Sequence, residues 1–169
     1  MANLIRGEAL VTDDPWQRID NAATPEALPG GPVIVPLSLW LEHHPALRAR
    51  AAPLGVWLAS EEAAESLCDT IGALALIAIH FPVFSDGRGY SNARILRERL
   101  GWHGELRAIG DVLRDQLFLM RRCGFDSFEI RADRSAADAL GSLRDFHHAY
   151  QYGTADPGEP LLERGRSER

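Results

Sequence analysis

Five short apolar runs, separated by segments of helical periodicity, restrict this sequence to one broad class of fold. PVIVPL from Pro32, LGVWLA from Leu54, LALIAIHF from Leu74, ELRAIG from Glu105 and DSFEIR from Asp126 are aliphatic and β-branched and read as strands. Segments beginning at Leu39, Glu61, Ser91, Asp111 and Ser135 read as helices. Strands and helices alternating at intervals of roughly 20 to 30 residues predict βαβ crossovers onto a parallel sheet. The expected fold class is α/β: alternating βα units on a mostly parallel sheet of about five strands, either open and doubly wound or a partial barrel. A complete eight-stranded barrel typically needs about 250 residues, and the chain has 169.

Several helix boundaries are written in the residues. Ser91 is expected to cap one helix and Gly101 to end it. Asp111 is expected to cap the next, with Leu113, Leu117 and Met120 on one face and Arg121 and Arg122 at the negative end before Gly124. Ser135 with Asp138 forms a capping box, and an apolar stripe runs through Leu140 and Leu143 towards Phe146 or His147 and Tyr150. Residues 1–31 read as an N-terminal arm with one short strand at EALVT, residues 32–153 as the α/β domain, and residues 154–169 as a disordered tail.

Charge narrows the partners. Eighteen basic against 24 acidic residues give a formal net charge of -6, which disfavours a broad grip on nucleic acid or an anionic membrane. Any positive site must be local. Cys68 and Cys123 lack zinc-type spacing and point to reduced thiols in a cytoplasmic protein. The N-terminus shows no apolar signal core, and no run reaches the roughly 18 apolar residues of a membrane span.

The stretch FPVFSDGRGYSNAR, Phe81 to Arg94, concentrates chemistry after the third run. In parallel α/β folds ligands sit beyond the carboxyl ends of strands, where helix N-termini present free N–H groups. Gly87 and Gly89 permit close backbone approach; Arg88, Ser91, Asn92 and, from the next loop, Arg114 offer donors to an oxyanion. Asp86 and Asp111 are candidates for acid–base chemistry, and Tyr90 for orienting a substrate. Arg131 and Asp133 share the same expected edge. Turn formation explains SDGRG equally well, and Asp111 suits a plain helix cap.

Other chemistry finds less support. His80 lies in a strand, where a satisfied imidazole outranks a catalyst; His43 and His44 sit beside the helix-breaking Pro45; His147 and His148 diverge on a helix. No metal site is expected. GRG lacks the third glycine of a dinucleotide loop, and neither a phosphate-binding P-loop nor a G-x-S-x-G elbow is present, so no cofactor is expected. The exposed side of DQLFLMRR suits a scaffold contact.

The block from Phe81 to Arg131, with PLSLWLEHH and LGVWLA before it, resembles the bacterial family catalogued as domain of unknown function nine-three-four, over roughly Pro32 to Tyr150. Members are commonly found beside assimilatory sulfite reductase, and the family is often labelled a probable oxidoreductase of sulfite reduction, a label taken from gene neighbourhood. The resemblance therefore implies sulfur assimilation as the setting. It also implies sulfite reductase, its electron donor or a small oxyanion as what the chain binds. Sulfite reduction needs an electron source, and the chain carries no haem, iron–sulfur, flavin or nicotinamide motif. The expectation is an accessory protein; the alternative is a small α/β enzyme with an anion-binding active site in the same pathway.

Overall fold

The computed structural model describes residues 3–21, 24–144 and 153–154. Its elements in chain order are β1 (Leu4–Arg6), β2 (Ala9–Val11), β3 (Gln17–Arg18), β4 (Val33–Pro36), α1 (Leu37–Arg48), β5 (Leu54–Leu58), β6 (Leu76–Phe81), α2 (Arg88–Arg94), β7 (Glu105–Gly110), α3 (Leu117–Arg122), β8 (Ser127–Glu129) and α4 (Ala136–Leu140). The five expected strands are β4 to β8. The sheet is larger than expected, with eight strands in the order β2-β1-β8-β7-β6-β5-β4-β3.

Topology decides between the two expected architectures. Strands β3 to β8 are parallel and lie side by side in chain order. A doubly wound sheet needs a reversal of strand order to send helices to both faces, and these six strands have none. The sheet instead curls into a half-barrel. It is also mixed, because β1 runs antiparallel to both β8 and β2. The short strand expected at EALVT is β2. The two missed strands had little to read: β1 has three residues and β3 only two, both polar.

Burial follows the alternation of each strand. Val33, Val56, Ile77, Ile79, Leu106 and Phe128 point to one face and pack with Trp40, Ala93, Met120 and Ala139 from α1, α2, α3 and α4. On the opposite face Ile34, Leu76, Ala78 and Ile109 form a small second cluster under Trp16 and Trp57, with no helical residue in it. That face is crossed by the N-terminal arm, and the Trp57 indole donates to the Ile19 carbonyl at 3.0 Å.

Helix boundaries correct several expectations. The helix expected from Glu61 is two 3-10 turns, Ala64–Leu67 and Ile71–Ala73; Asp69, Thr70 and Gly72 between and within them are poor helix formers. The helix expected from Ser91 starts at Arg88, so Ser91 lies inside it and caps nothing. It continues as a π-helical turn, Ile95–Arg99, before Gly101 at φ +64. Asp111 is no cap either: a 3-10 turn, Arg114–Gln116, precedes α3, and Gln116 accepts from the Leu113 N–H at 2.9 Å. Ser135 does cap α4, its hydroxyl accepting from the Asp138 N–H at 3.2 Å. In α1, the chain departs from helical angles at His43, two residues before Pro45. The stripe beyond Arg144, with Phe146, His147, His148 and Tyr150, lies outside the described residues, as does the tail after Thr154. Thr154 itself is anchored, its N–H donating to the Arg122 carbonyl at 2.7 Å.

Candidate functional site

The C-terminal ends of β5 to β8 carry the loops on which the candidate residues sit. After β6, the backbone turns back so that Asp86 faces Arg88. The Arg88 Nε donates to Asp86 Oδ1 at 3.0 Å, Nη2 to Oδ2 at 2.7 Å, and the Arg88 N–H to Oδ1 at 3.1 Å. The same Nη2 reaches Ser60 Oγ at 2.9 Å, tying the loop to that after β5. Hydrogen bonding to Arg88 holds the Asp86 carboxyl far below the usual carboxylate range. A carboxylate so engaged is a weak base and rarely protonated enough to act as an acid.

Asp111 makes the second junction. Its Oδ2 accepts from the Phe84 N–H at 2.8 Å and its Oδ1 from Arg131 Nη1 at 2.7 Å, so it binds the loop after β6 to that after β8. Arg131 also forks onto Asp133 at 2.6 and 3.0 Å. Hydrogen bonds to Asp133 and then Asp111 raise its already high pKa. Gln116 Nε2 donates to the Phe84 carbonyl at 3.4 Å. Phe84 is therefore pinned at both backbone groups, yet the residue is 49% exposed beside Val83 at 52%. The rim is a lattice of ion pairs that holds an apolar tip out to solvent.

The other candidates divide by surroundings. Gly87 has φ -85, an angle open to any residue. Gly89 is required by packing: a Cβ there would stand 2.7 Å from the Phe81 ring. Tyr90 lies edge-on to Phe81, ring centroids 5.3 Å apart, and burial raises the pKa of its hydroxyl while a hydrogen bond with Gln116 opposes the rise. Asn92 is buried, donating to the Glu62 carbonyl at 2.8 Å. Ser91 is exposed. Arg114 does not join Arg88; among the described residues its ion-pair partner is Asp115, at 3.7 Å, and it borders a hollow of ≈ 360 Å³ with Arg134, Ser135 and Asp138.

Sequence reasoning passed over the helix-free face. Arg107, 2% exposed, forks onto Asp14 (2.7 Å) and Glu105 (2.7 Å), and Arg6 bridges the same two acids at 3.0 Å each. Burial alone would lower the Arg107 pKa; the bonds to Asp14 and Glu105 outweigh it and keep the group charged. The signal was present in ELRAIG, where alternation sets Glu105 and Arg107 opposite Leu106 and Ala108. Beside this cluster opens a groove of ≈ 630 Å³ that reaches Gly110 and Arg131 at the ends of β7 and β8. Among the described residues no group of three or more His, Cys, Asp or Glu side chains is placed to hold a metal ion, and no helix is long and apolar enough to cross a membrane.

The family model described as "Bacterial protein of unknown function (DUF934)" matches residues 55–161, more than half of the chain. The chain belongs to the DUF934 family. The matched segment of this DUF934 protein runs from β5 onward and carries the whole rim, including Ser60, Asp86, Arg88, Asp111 and Arg131. Asp14 and Arg18 of the arm fall before it. No curated protein and no solved structure matches the DUF934 chain.

Proposed function

We propose that this protein is an accessory component of assimilatory sulfite reduction that acts by docking, through its C-terminal rim, on sulfite reductase or on the electron donor of that enzyme. The setting rests on the family resemblance. The observation that carries the docking is the Val83–Phe84 tip, exposed while Asp111 and Gln116 fix its backbone. A tip held in one conformation loses little entropy on binding, and paired apolar side chains with exposed arginines nearby are the makings of a contact centre. Arg88, 59% exposed, stands on the same loop, and Arg114, 60% exposed, lies two residues before Gln116.

The alternative, a small enzyme using Asp86 or Asp111 as acid or base, draws no comparable support from a rim whose Asp86 carboxylate is saturated by Arg88. Affinity capture from cells growing on sulfate tests the proposal. The tagged protein is expected to retain sulfite reductase or its donor, and Val83→Ser/Phe84→Ser to weaken capture by about tenfold or more with unchanged thermal unfolding. Equal capture by that variant, or unaltered sulfite reductase assembly and activity in a deletion strain, removes it.

A further inference from the structure

We propose that the groove on the helix-free face binds a compact zwitterion of the α-amino acid class, with the ligand's carboxylate on Arg18 and its ammonium on Glu129. This site is separate from the docking tip and does not depend on the reading of the rim.

Hydrogen-bonding capacity sets the argument. Arg18 spends its Nε on Asp20 at 2.9 Å, and among the described residues no hydrogen bond engages either Nη. Its Nη1 stands 3.6 Å from Glu129 Oε1, beyond hydrogen-bond reach. Glu129, 45% exposed, makes no other ion pair among the described residues and acts on His80 only through space. A cationic fork and a carboxylate therefore face each other in one groove, both with unused capacity. Arg107 and Asp14 in the floor offer nothing comparable, because they are spent on each other and on Glu105 and Arg6.

Charge balance selects the ligand class. Around the groove Arg6, Arg18, Arg107, Arg131 and Arg134 are paired with, or face, Asp14, Asp20, Glu105, Asp111, Glu129 and Asp133, six carboxylates to five arginines. A simple oxyanion entering here meets Glu129 on the same wall, and like-charge repulsion offsets what Arg18 gives. A simple cation meets Arg18 and Arg131. A molecule with both charges one carbon apart inserts beside the loose Arg18–Glu129 pair and satisfies each partner. Leu4 and Ile130 line the same groove at 4% and 2% exposure, which leaves apolar surface only for a small aliphatic part. A volume of ≈ 630 Å³ is within the range of small-molecule pockets.

The test is an amide NMR titration of the full chain with L-alanine up to about 10 mM, with acetate, sulfate and methylammonium as single-charge probes. L-alanine is expected to shift the Gly110 and Ile130 amides saturably, and the single-charge probes to shift them far less. Arg18→Gln and Glu129→Gln are each expected to weaken binding by about tenfold with unchanged thermal unfolding. Should Arg18→Gln disturb the short β3, Glu129→Gln decides alone. No saturable shift, equal shifts from acetate, sulfate or methylammonium, or wild-type affinity in Glu129→Gln overturns the proposal. None of these outcomes bears on capture of sulfite reductase, so the two proposals fail separately.

Discussion

Arg107 stands in the interior of β7 with 2% of its side chain exposed, and two carboxylates make that tolerable. Arg107→Met is expected to lower stability by about 3–5 kcal/mol, because it leaves Asp14 and Glu105 half-buried with only Arg6 to answer them; urea unfolding at pH 7 measures this. His80 supplies a pH dependence. Burial, reinforced by Arg18, lowers its pKa below the ordinary 6.5, so the unfolded chain binds the proton more readily. The stability His80 contributes is complete above pH 6.5 and is lost as pH falls towards the folded pKa. Urea midpoints of the wild type should accordingly decline more between pH 7 and about 5 than those of His80→Gln, and parallel curves would refute this. Asp86 and Arg88 mark where reading the sequence stops. Their nearness on one loop was legible, but whether two side chains two residues apart face a ligand or each other is settled by torsion angles that residue identity leaves open. Arg107 was legible by alternation alone, since no apolar strand places a charge inward without partners.

At the scale of the element, α2 shows packing overruling local preference. Ser91 has the chemistry of a cap, yet the helix starts at Arg88, where Gly89 passes against the Phe81 ring. Phe81 is 1% exposed and wedged between Tyr90 and Phe125, so it has nowhere to retreat. Gly89→Ala gains up to about 1 kcal/mol of helix propensity, but overpacking costs about 1–3 kcal/mol. A net loss of stability is expected, visible as an earlier thermal midpoint; a rise would show that Phe81 can move. Strands β4 to β7 were readable because each presents an apolar face over four or more residues, and three-residue β8 because it lies within the alternating run DSFEIR. β1 and β3 lie in no such run and acquire their structure from the neighbour they pair with.

For the whole molecule, the consecutive order of β3 to β8 sends all the packing helices to one side, and the N-terminal arm supplies what covers the other. Removing residues 1–21 is expected to strip Trp16 from the second cluster and Asp14 from Arg107. Thermal unfolding should then broaden and begin at lower temperature, and a sharp transition at the wild-type midpoint would show the arm to be dispensable. The α/β class was legible from the alternation of runs. The mixed sheet was not, because nothing in a linear string announces that its first strand returns to its last.

That return governs how the protein is made. Leu4 is translated long before Glu129, its partner on the sheet. The β1–β2 ribbon can form early, but its other edge must stay open until β8 has been made, so this long-range pairing closes late in folding.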